Sequence, residues 1–333
     1  MNQKERVISA IAHKKTDIIP YQLDLTQGSF HTLSEHYGND CFLYSYVGNH
    51  LIREKNKNHT FIDKKTFVDI FGVTWRLDQE GGDIGNVKGC IFTQPDIKLF
   101  DFPEPNAELI KRKCESMINE HPDVFKIYEI GFSLFERAWT LRGMENLLMD
   151  FILEEDFTND LLDRILEYNL KVIDIAAKYP IDCILFGDDW GQQKGLIMGP
   201  AFWRKYIKPR VRAMYEATKK HNLYVAQHSC GDNSELFADL IEIGLDIYNT
   251  FQPEVYDVDK ITKEYGKDIT IYGGVSTQVV LAKGSPDDVR RETERMMGIL
   301  GRNGGYIVAP THQITTDTPL ENMLAFIETI KNQ

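Results

Sequence analysis

Through 156–179, Phe157, Leu161 and Ile165 interleave with Leu162, Leu166, Leu170 and Ile173, a three- and four-residue recurrence that predicts an amphipathic helix ending near Pro180. A short β-rich run, 181–187, follows. The alternation then repeats: Pro200 opens a helix whose buried face holds Trp203, Ile207, Val211 and Met214, and 223–227 reads as the next strand. Leu236, Leu240 and Ile243 mark a further helix closed by Gly244, before a strand over 246–251. A short helix over 257–265 leads to a strand at 269–272 that ends in Gly273-Gly274. Ser285-Pro286-Asp287-Asp288 then supplies an N-cap hydroxyl, a first-turn proline and carboxylates at the positive end of a helix. A strand at 306–309 and a capping box at Thr318-Pro319-Leu320-Glu321 complete the pattern.

Upstream the pattern is weaker. A helix over 3–13 precedes a first strand at 17–23, and the next clear strand is 124–130, so 31–122 reads largely as an insertion. Within it, Gly72-Val73-Thr74-Trp75, Gly81-Gly82-Asp83 and Ile91-Phe92-Thr93 suggest a small β excursion, followed by the proline-rich 95–105. Strands alternating with helices predict an α/β chain built on a parallel sheet. The strand starts approach the eight of a (β/α)8 TIM barrel. A doubly wound open sheet is the alternative, disfavoured because no GxGxxG follows a predicted strand. The whole of 1–333 reads as one domain.

Composition narrows the function classes. The 333 residues carry 38 Lys+Arg against 50 Asp+Glu, a net charge of −12, so nucleic acid and anionic membrane are not expected as main partners. With 42% hydrophobic and 26% charged residues the chain can bury a full core. No apolar run reaches membrane-spanning length, and the charged opening Lys4-Glu5-Arg6 does not suit an export signal. Five scattered cysteines without a CxxC pair suit a reducing compartment, and a cytoplasmic location is expected.

Sites on parallel sheets form beyond the carboxyl ends of strands. There stand His228-Ser229-Cys230, then His312, then Asp188-Asp189-Trp190 with Gln192. Nitrogen and sulfur donors converging at one mouth are what Zn²⁺ prefers, so His228, Cys230 and His312 are candidate metal ligands. Asp188, Asp189 and Gln192 are candidate catalytic side chains, although an Asp pair at a strand end also serves as a helix cap. Tyr21, Phe132, Phe135 and Trp190 are candidates to contact a small substrate, with plain packing as the alternative.

Several segments together resemble the uroporphyrinogen decarboxylase superfamily. They are 5–11, Phe135-Glu136-Arg137-Ala138-Trp139-Thr140-Leu141-Arg142-Gly143-Met144-Glu145-Asn146, Gly187-Asp188-Asp189, His228-Ser229-Cys230-Gly231, Gly273-Gly274-Val275-Ser276-Thr277-Gln278 and 304–310. The resemblance implies a single (β/α)8 barrel and one of two activities: the haem-pathway decarboxylase, or a cobamide-dependent methyltransferase acting with a corrinoid protein. The decarboxylase carries an arginine signature just after its first strand, whereas here no arginine occurs between Arg6 and Arg53. His228 and Cys230 match the methyltransferases' His-x-Cys zinc pair, and His312 stands about where their third ligand, usually a cysteine, is found, with Asp188 or a glutamate as the alternative third ligand. The resemblance therefore favours zinc- and corrinoid-dependent methyl transfer to or from a small molecule, a methoxylated compound or a thiol. A decarboxylase and a non-catalytic ligand-binding barrel are the alternatives. The missing arginine predicts that purified protein leaves uroporphyrinogen unconverted, since each carboxylate lacking a charged hydrogen bond forfeits roughly 1.5–3 kcal/mol. A decarboxylation assay showing turnover at an enzyme-like rate would overturn this.

Overall fold

Parallel strands in sequential order form the main sheet of the computed structural model, which describes residues 1–77 and 85–333. Among the described residues there are seven: β1 Leu51–Lys55, β2 Phe125–Ile130, β3 Cys183–Gly187, β4 Tyr224–His228, β5 Ile247–Phe251, β6 Thr270–Val275 and β7 Tyr306–Pro310. Helices connect them, as the alternation predicts. Glu155–Ala176 lies between β2 and β3, Lys208–Lys220 between β3 and β4, and Pro286–Leu300 between β6 and β7. No helix among the described residues is long and apolar enough to cross a membrane.

Strands β2, β3, β5, β6 and β7 are buried along their whole length, on both faces, whereas β1 is half-buried after Leu51. Alternate residues divide between two cores. Leu51, Ile127, Leu185, Ala226, Ile247 and Ile307 gather into a small cluster on one face of the sheet. Tyr128, Ile184, Phe186, Val225, Ile271 and Val308 face the helices in the larger one. The sheet curls. Its last strand and the residue just before its first strand meet the same segment: Gln22 N–H donates to Val308 O at 3.0 Å, and His50 N–H donates to Tyr21 O at 3.1 Å.

That segment is the expected first strand, 17–23, and it is present only as isolated parallel bridges, Tyr21 to Val308 and Leu25 to Ile314. Pro20 has no N–H to give a ladder. The Asn49 side chain takes over the role of a neighbouring strand at Leu23, accepting from its N–H at 2.8 Å and donating to its carbonyl at 3.0 Å.

The reading of 31–122 as largely an insertion is too wide. Helix Gln27–Tyr37, strand β1 and helix Ala107–Glu120 belong to the main βα succession. Strand β1 escapes a hydropathy reading because Arg53, Glu54 and Lys55 occupy three of its five positions. What departs from the succession is a four-stranded antiparallel sheet, His59–Phe61, Thr66–Asp69, Thr74–Leu77 and Gly85–Lys88, with the proline-rich stretch after it. Gly81-Gly82-Asp83 lie outside the described residues.

The Ser285 capping box forms as expected, with Asp288 N–H donating to Ser285 Oγ at 3.2 Å and Ser285 N–H to Asp288 Oδ2 at 2.9 Å. The one expected at Thr318 does not. Pro319 takes the cap position of helix Leu320–Lys331, and the buried Thr318 hydroxyl is left without a partner. Leu185, fully buried in the smaller core, tests the layer beneath the strand ends. Leu185→Ala is expected to cost about 2–5 kcal/mol in urea unfolding, and a loss under about 1 kcal/mol would show that this face is not close-packed.

Candidate active site

A cavity of about 640 Å³ opens at the carboxyl ends of the strands, with the antiparallel sheet as one wall. Its floor is an ion pair. Arg53, the third residue of β1, donates to Glu129 Oε2 from Nη2 at 2.7 Å and from Nε at 3.1 Å, and reaches Asp24 at 3.5 Å. Burial alone would raise the Glu129 carboxyl, but the adjoining guanidinium outweighs it and holds the group at about 2. An arginine therefore does stand in the cavity, supplied by β1 rather than by the first segment. Its charge is already taken up by Glu129 and Asp24.

Above the floor the structure brings together the three predicted ligands. One donor atom each from His228, Cys230 and His312 lies within 4.8 Å of the others. His228 ends β4, and its Nε2 is 3.6 Å from Cys230 Sγ. The tautomer of His228 follows from its neighbour: Asn249 Nδ2 donates to Tyr272 O at 3.1 Å, which turns Oδ1 toward His228 Nδ1 at 2.7 Å. Nδ1 then carries the proton, and the Nε2 lone pair faces the thiol. His312 is held differently. Gln313 N–H donates to His312 Nδ1 at 2.9 Å, which places that ring's proton on Nε2; ligation through Nε2 requires the proton to move and this bond to be given up. Burial and the Asp189 carboxylate push the Cys230 thiol up.

The candidate carboxylates separate. Asp189 lines the cavity, accepts from Cys230 N–H at 2.7 Å and lies 4.0 Å from His228 Nε2. Asp188 is fully buried and faces away, accepting from the N–H groups of Leu134, Phe135 and Glu136 and from Trp190 Nε1 at 2.6 Å. It anchors the N-terminus of helix Phe135–Arg142 and does not line the cavity, although burial pushes its pKa up to about 6. Gln192 is exposed in a two-residue hairpin strand, outside the cavity.

Of the four aromatic candidates only Phe132 lines the cavity. Tyr21 donates its hydroxyl to Val47 O at 2.8 Å, Phe135 stacks on Phe151, and Trp190 packs on Trp203; all three are core. The aromatic wall comes instead from the antiparallel sheet. Phe67 and Trp75 are stacked with centroids 6.1 Å apart, and Trp75 meets Phe132 edge-on at 5.1 Å. Asp69 fixes this wall, accepting from Trp75 Nε1 at 3.0 Å and from Arg137 Nη1 at 2.6 Å.

Glu136 is a further cavity carboxyl that sequence reasoning missed; burial, then Asp189 and Asp188, raises it well above the carboxylate range. Period-two alternation from Leu51 would have pointed Arg53 and Lys55 inward, had β1 been recognised. A second cleft, of about 330 Å³, lies by the proline-rich stretch, where Lys171 pairs with Glu104 and Arg164 with Glu167.

The model of the uroporphyrinogen decarboxylase (URO-D) family matches residues 129–333. A uroporphyrinogen decarboxylase from Thermus thermophilus is 25% identical over 183 residues, 54% of this chain and 49% of that protein. The methylcobamide:CoM methyltransferase MtbA from Methanosarcina acetivorans is 22% identical over 178 residues, 54% of this chain and 50% of that protein. The matched region thus spans about half the length of these curated relatives. A methyltransferase structure from Methanosarcina mazei superposes with a TM-score of 0.74 at 16% identity, covering 99% of this chain and 98% of that one, a likeness of fold.

Because Glu129 is depressed from 4.5 to about 2, its stabilisation is present above the unfolded-state value and lost as pH falls from about 4.5 through 2. That corresponds to roughly 3 kcal/mol at neutral pH. Glu129→Gln is expected to destabilise the protein by about this much at pH 7 and to flatten the acid limb of a pH–stability profile; an unchanged acid limb would refute the pairing.

Proposed function

The chain belongs to the uroporphyrinogen decarboxylase family, and from that premise we propose that it is a zinc-dependent methyltransferase moving a methyl group between a small substrate, a methoxylated compound or a thiol, and a corrinoid protein. One observation carries the reading: the His228, Cys230 and His312 donors converge within 4.8 Å at the mouth of a substrate-sized cavity. Two imidazoles and a thiol form the borderline-soft donor set that zinc favours, and three protein ligands leave a position for a substrate atom. Zinc held there would act as a Lewis acid on the substrate's oxygen or sulfur, while the corrinoid of the partner protein would take or give the methyl group.

The chain's own residues prepare that exchange. Asn249 fixes which nitrogen His228 offers, and second-neighbour hydrogen bonds of this kind hold a ligand in orientation. Asp189, accepting from the Cys230 N–H, holds the thiol-bearing turn against β4. Glu136, whose carboxyl burial holds well above the carboxylate range, lines the cavity and is suited to pass a proton to a departing oxygen. The aromatic wall and the antiparallel sheet exclude water from one side of the cavity. Residues 20–25 serve as the eighth strand of a closed barrel in a single domain, and the five free thiols suit the cytoplasm.

Decarboxylation of a polycarboxylate is the second reading, prompted by Arg53. It is the weaker one, because Arg53 is committed to Glu129 and Asp24 and Arg137 to Asp69.

Cys230→Ser is expected to lower zinc content at least tenfold by elemental analysis and to abolish methylation of a corrinoid protein, with circular dichroism unchanged, since a barrel core does not depend on the ion. His312→Ala is expected to do nearly the same. Full zinc and full transfer in Cys230→Ser would refute the site, and a wild-type protein that binds no zinc would favour the non-catalytic barrel.

A further inference from the structure

The three candidate ligands are not equally ready. His228 Nε2 and Cys230 Sγ are 3.6 Å apart. Neighbouring donors around a tetrahedral zinc, with bonds of about 2.0–2.3 Å, stand about 3.4–3.6 Å from one another, so this pair is already at ligand spacing. The wider spread of the cluster, up to 4.8 Å, is owed to His312. Its ring also has a competing partner, the N–H of Gln313, which donates to Nδ1 at 2.9 Å.

That bond is incompatible with ligation through either ring nitrogen. If Nδ1 takes the metal, its lone pair is lost to Gln313; if Nε2 does, the ring proton moves to Nδ1 and two N–H groups face each other. The neutral ring keeps one proton in both cases, so the exchange is one of partners and not of charge. Gln313 is poorly placed to withdraw, because the chain is pinned on both sides of it. Thr311 N–H donates to Val275 O at 2.8 Å, Ile314 N–H donates to Asp24 O at 2.9 Å, and Thr26 N–H donates to Ile314 O at 3.0 Å. The Gln313 side chain adds its own tie, Nε2 donating to Leu25 O at 3.0 Å and to Asp24 Oδ1 at 3.2 Å. His228 is the contrast, since Asn249 meets its Nδ1 and leaves Nε2 to face the thiol.

Resting on the methyl-transfer reading for the presence of a metal, we propose that Gln313 is a positioning residue that holds His312 out of the ligand set. His228 and Cys230 form the preset pair, and His312 completes the set only when its ring turns away from the Gln313 N–H. Giving up one hydrogen bond weakens the hold on the metal about threefold to tenfold. The segment 24–26, to which Gln313 and Ile314 are tied, thereby takes part in setting metal affinity although it supplies no ligand.

Two measurements on the full chain test this. With isotope-labelled histidine, and His312→Ala to identify the signal, nuclear magnetic resonance is expected to show His312 protonated on Nε2 in the metal-free protein. Hydrogen exchange at the Gln313 amide is expected to be about tenfold faster with zinc bound than without it. Chelator competition then gives zinc affinity. Gln313→Pro, which lacks the N–H, is expected to bind zinc about threefold to tenfold more tightly than Gln313→Ala, which keeps it, and the difference is expected to vanish in a His312→Ala background. A metal-free His312 protonated on Nδ1, a Gln313 amide equally protected with and without zinc, or a folded Gln313→Pro that binds no more tightly than Gln313→Ala overturns the proposal; where Gln313→Pro fails to fold, the first two decide. Exchange at Gln313 that responds to zinc in a protein that transfers no methyl group sinks only the methyl-transfer reading. Methyl transfer that Cys230→Ser abolishes, with the Gln313 amide indifferent to zinc, sinks only the role of Gln313.

Discussion

The cavity depends on a buried ion pair at the level where the apolar layer of the curled sheet gives way to polar side chains. Beneath it, Ile127, Leu185 and Ile307 fill the sheet's inner face; at it, Arg53 and Glu129 bridge the ends of β1 and β2 at 2.7 Å. Neither charge is tolerable there alone, because an unpaired ion in a low-dielectric site costs several kcal/mol. The pair thus sets how far the apolar filling extends, and so how deep the cavity is. It also decides which cations remain for a ligand. Arg53 is consumed by the fold and Lys55, two residues on, is not.

Another carboxylate, Asp188, organises a wall without lining the cavity. Asp188 gathers three backbone N–H groups at the start of helix Phe135–Arg142 and the indole N–H of Trp190, joining the end of β3 to the helix that carries Glu136 and Arg137. A carboxylate at the positive end of a helix is favoured electrostatically as well as by its hydrogen bonds. Adjacent acids in the sequence thereby take opposite duties: Asp188 turns into the packing and Asp189 into the cavity.

How much of this could be read from the sequence varies with the kind of signal. The βα succession after residue 150 rests on strong periodicity, and the structure reproduces it to within a few residues at each strand. The metal-ligand candidates were legible because they sit at strand ends, where the chemistry of His228, Cys230 and His312 has no packing explanation. The substrate aromatics were not. Tyr21, Phe135 and Trp190 are near the mouth in sequence, but which face a side chain takes there depends on helix contacts that periodicity does not encode. Strand β1 was lost for a related reason: its inward face is charged where an inward face is ordinarily apolar, so the pattern that locates strands fails where a strand contributes to a site. Arg53, Lys55, Asn249 and Tyr272 become visible only once neighbouring strands are placed side by side.

A single carboxylate makes the polar link between the antiparallel sheet and the helix that carries Arg137. Asp69 organises its own turn through the N–H groups of Phe71 and Val73, holds the Trp75 indole, and grips Arg137, whose guanidinium in turn lies over the Phe71 ring at 4.4 Å from the centroid. The wall facing the metal-ligand candidates is therefore held by one carboxylate and by the burial of Phe71, Val73 and Trp75 in the main core. Its aromatic face can vary in sequence without disturbing the ligand cluster, since none of the three donors comes from it. Recognition and chemistry occupy different parts of the chain, so one can diverge while the other is kept.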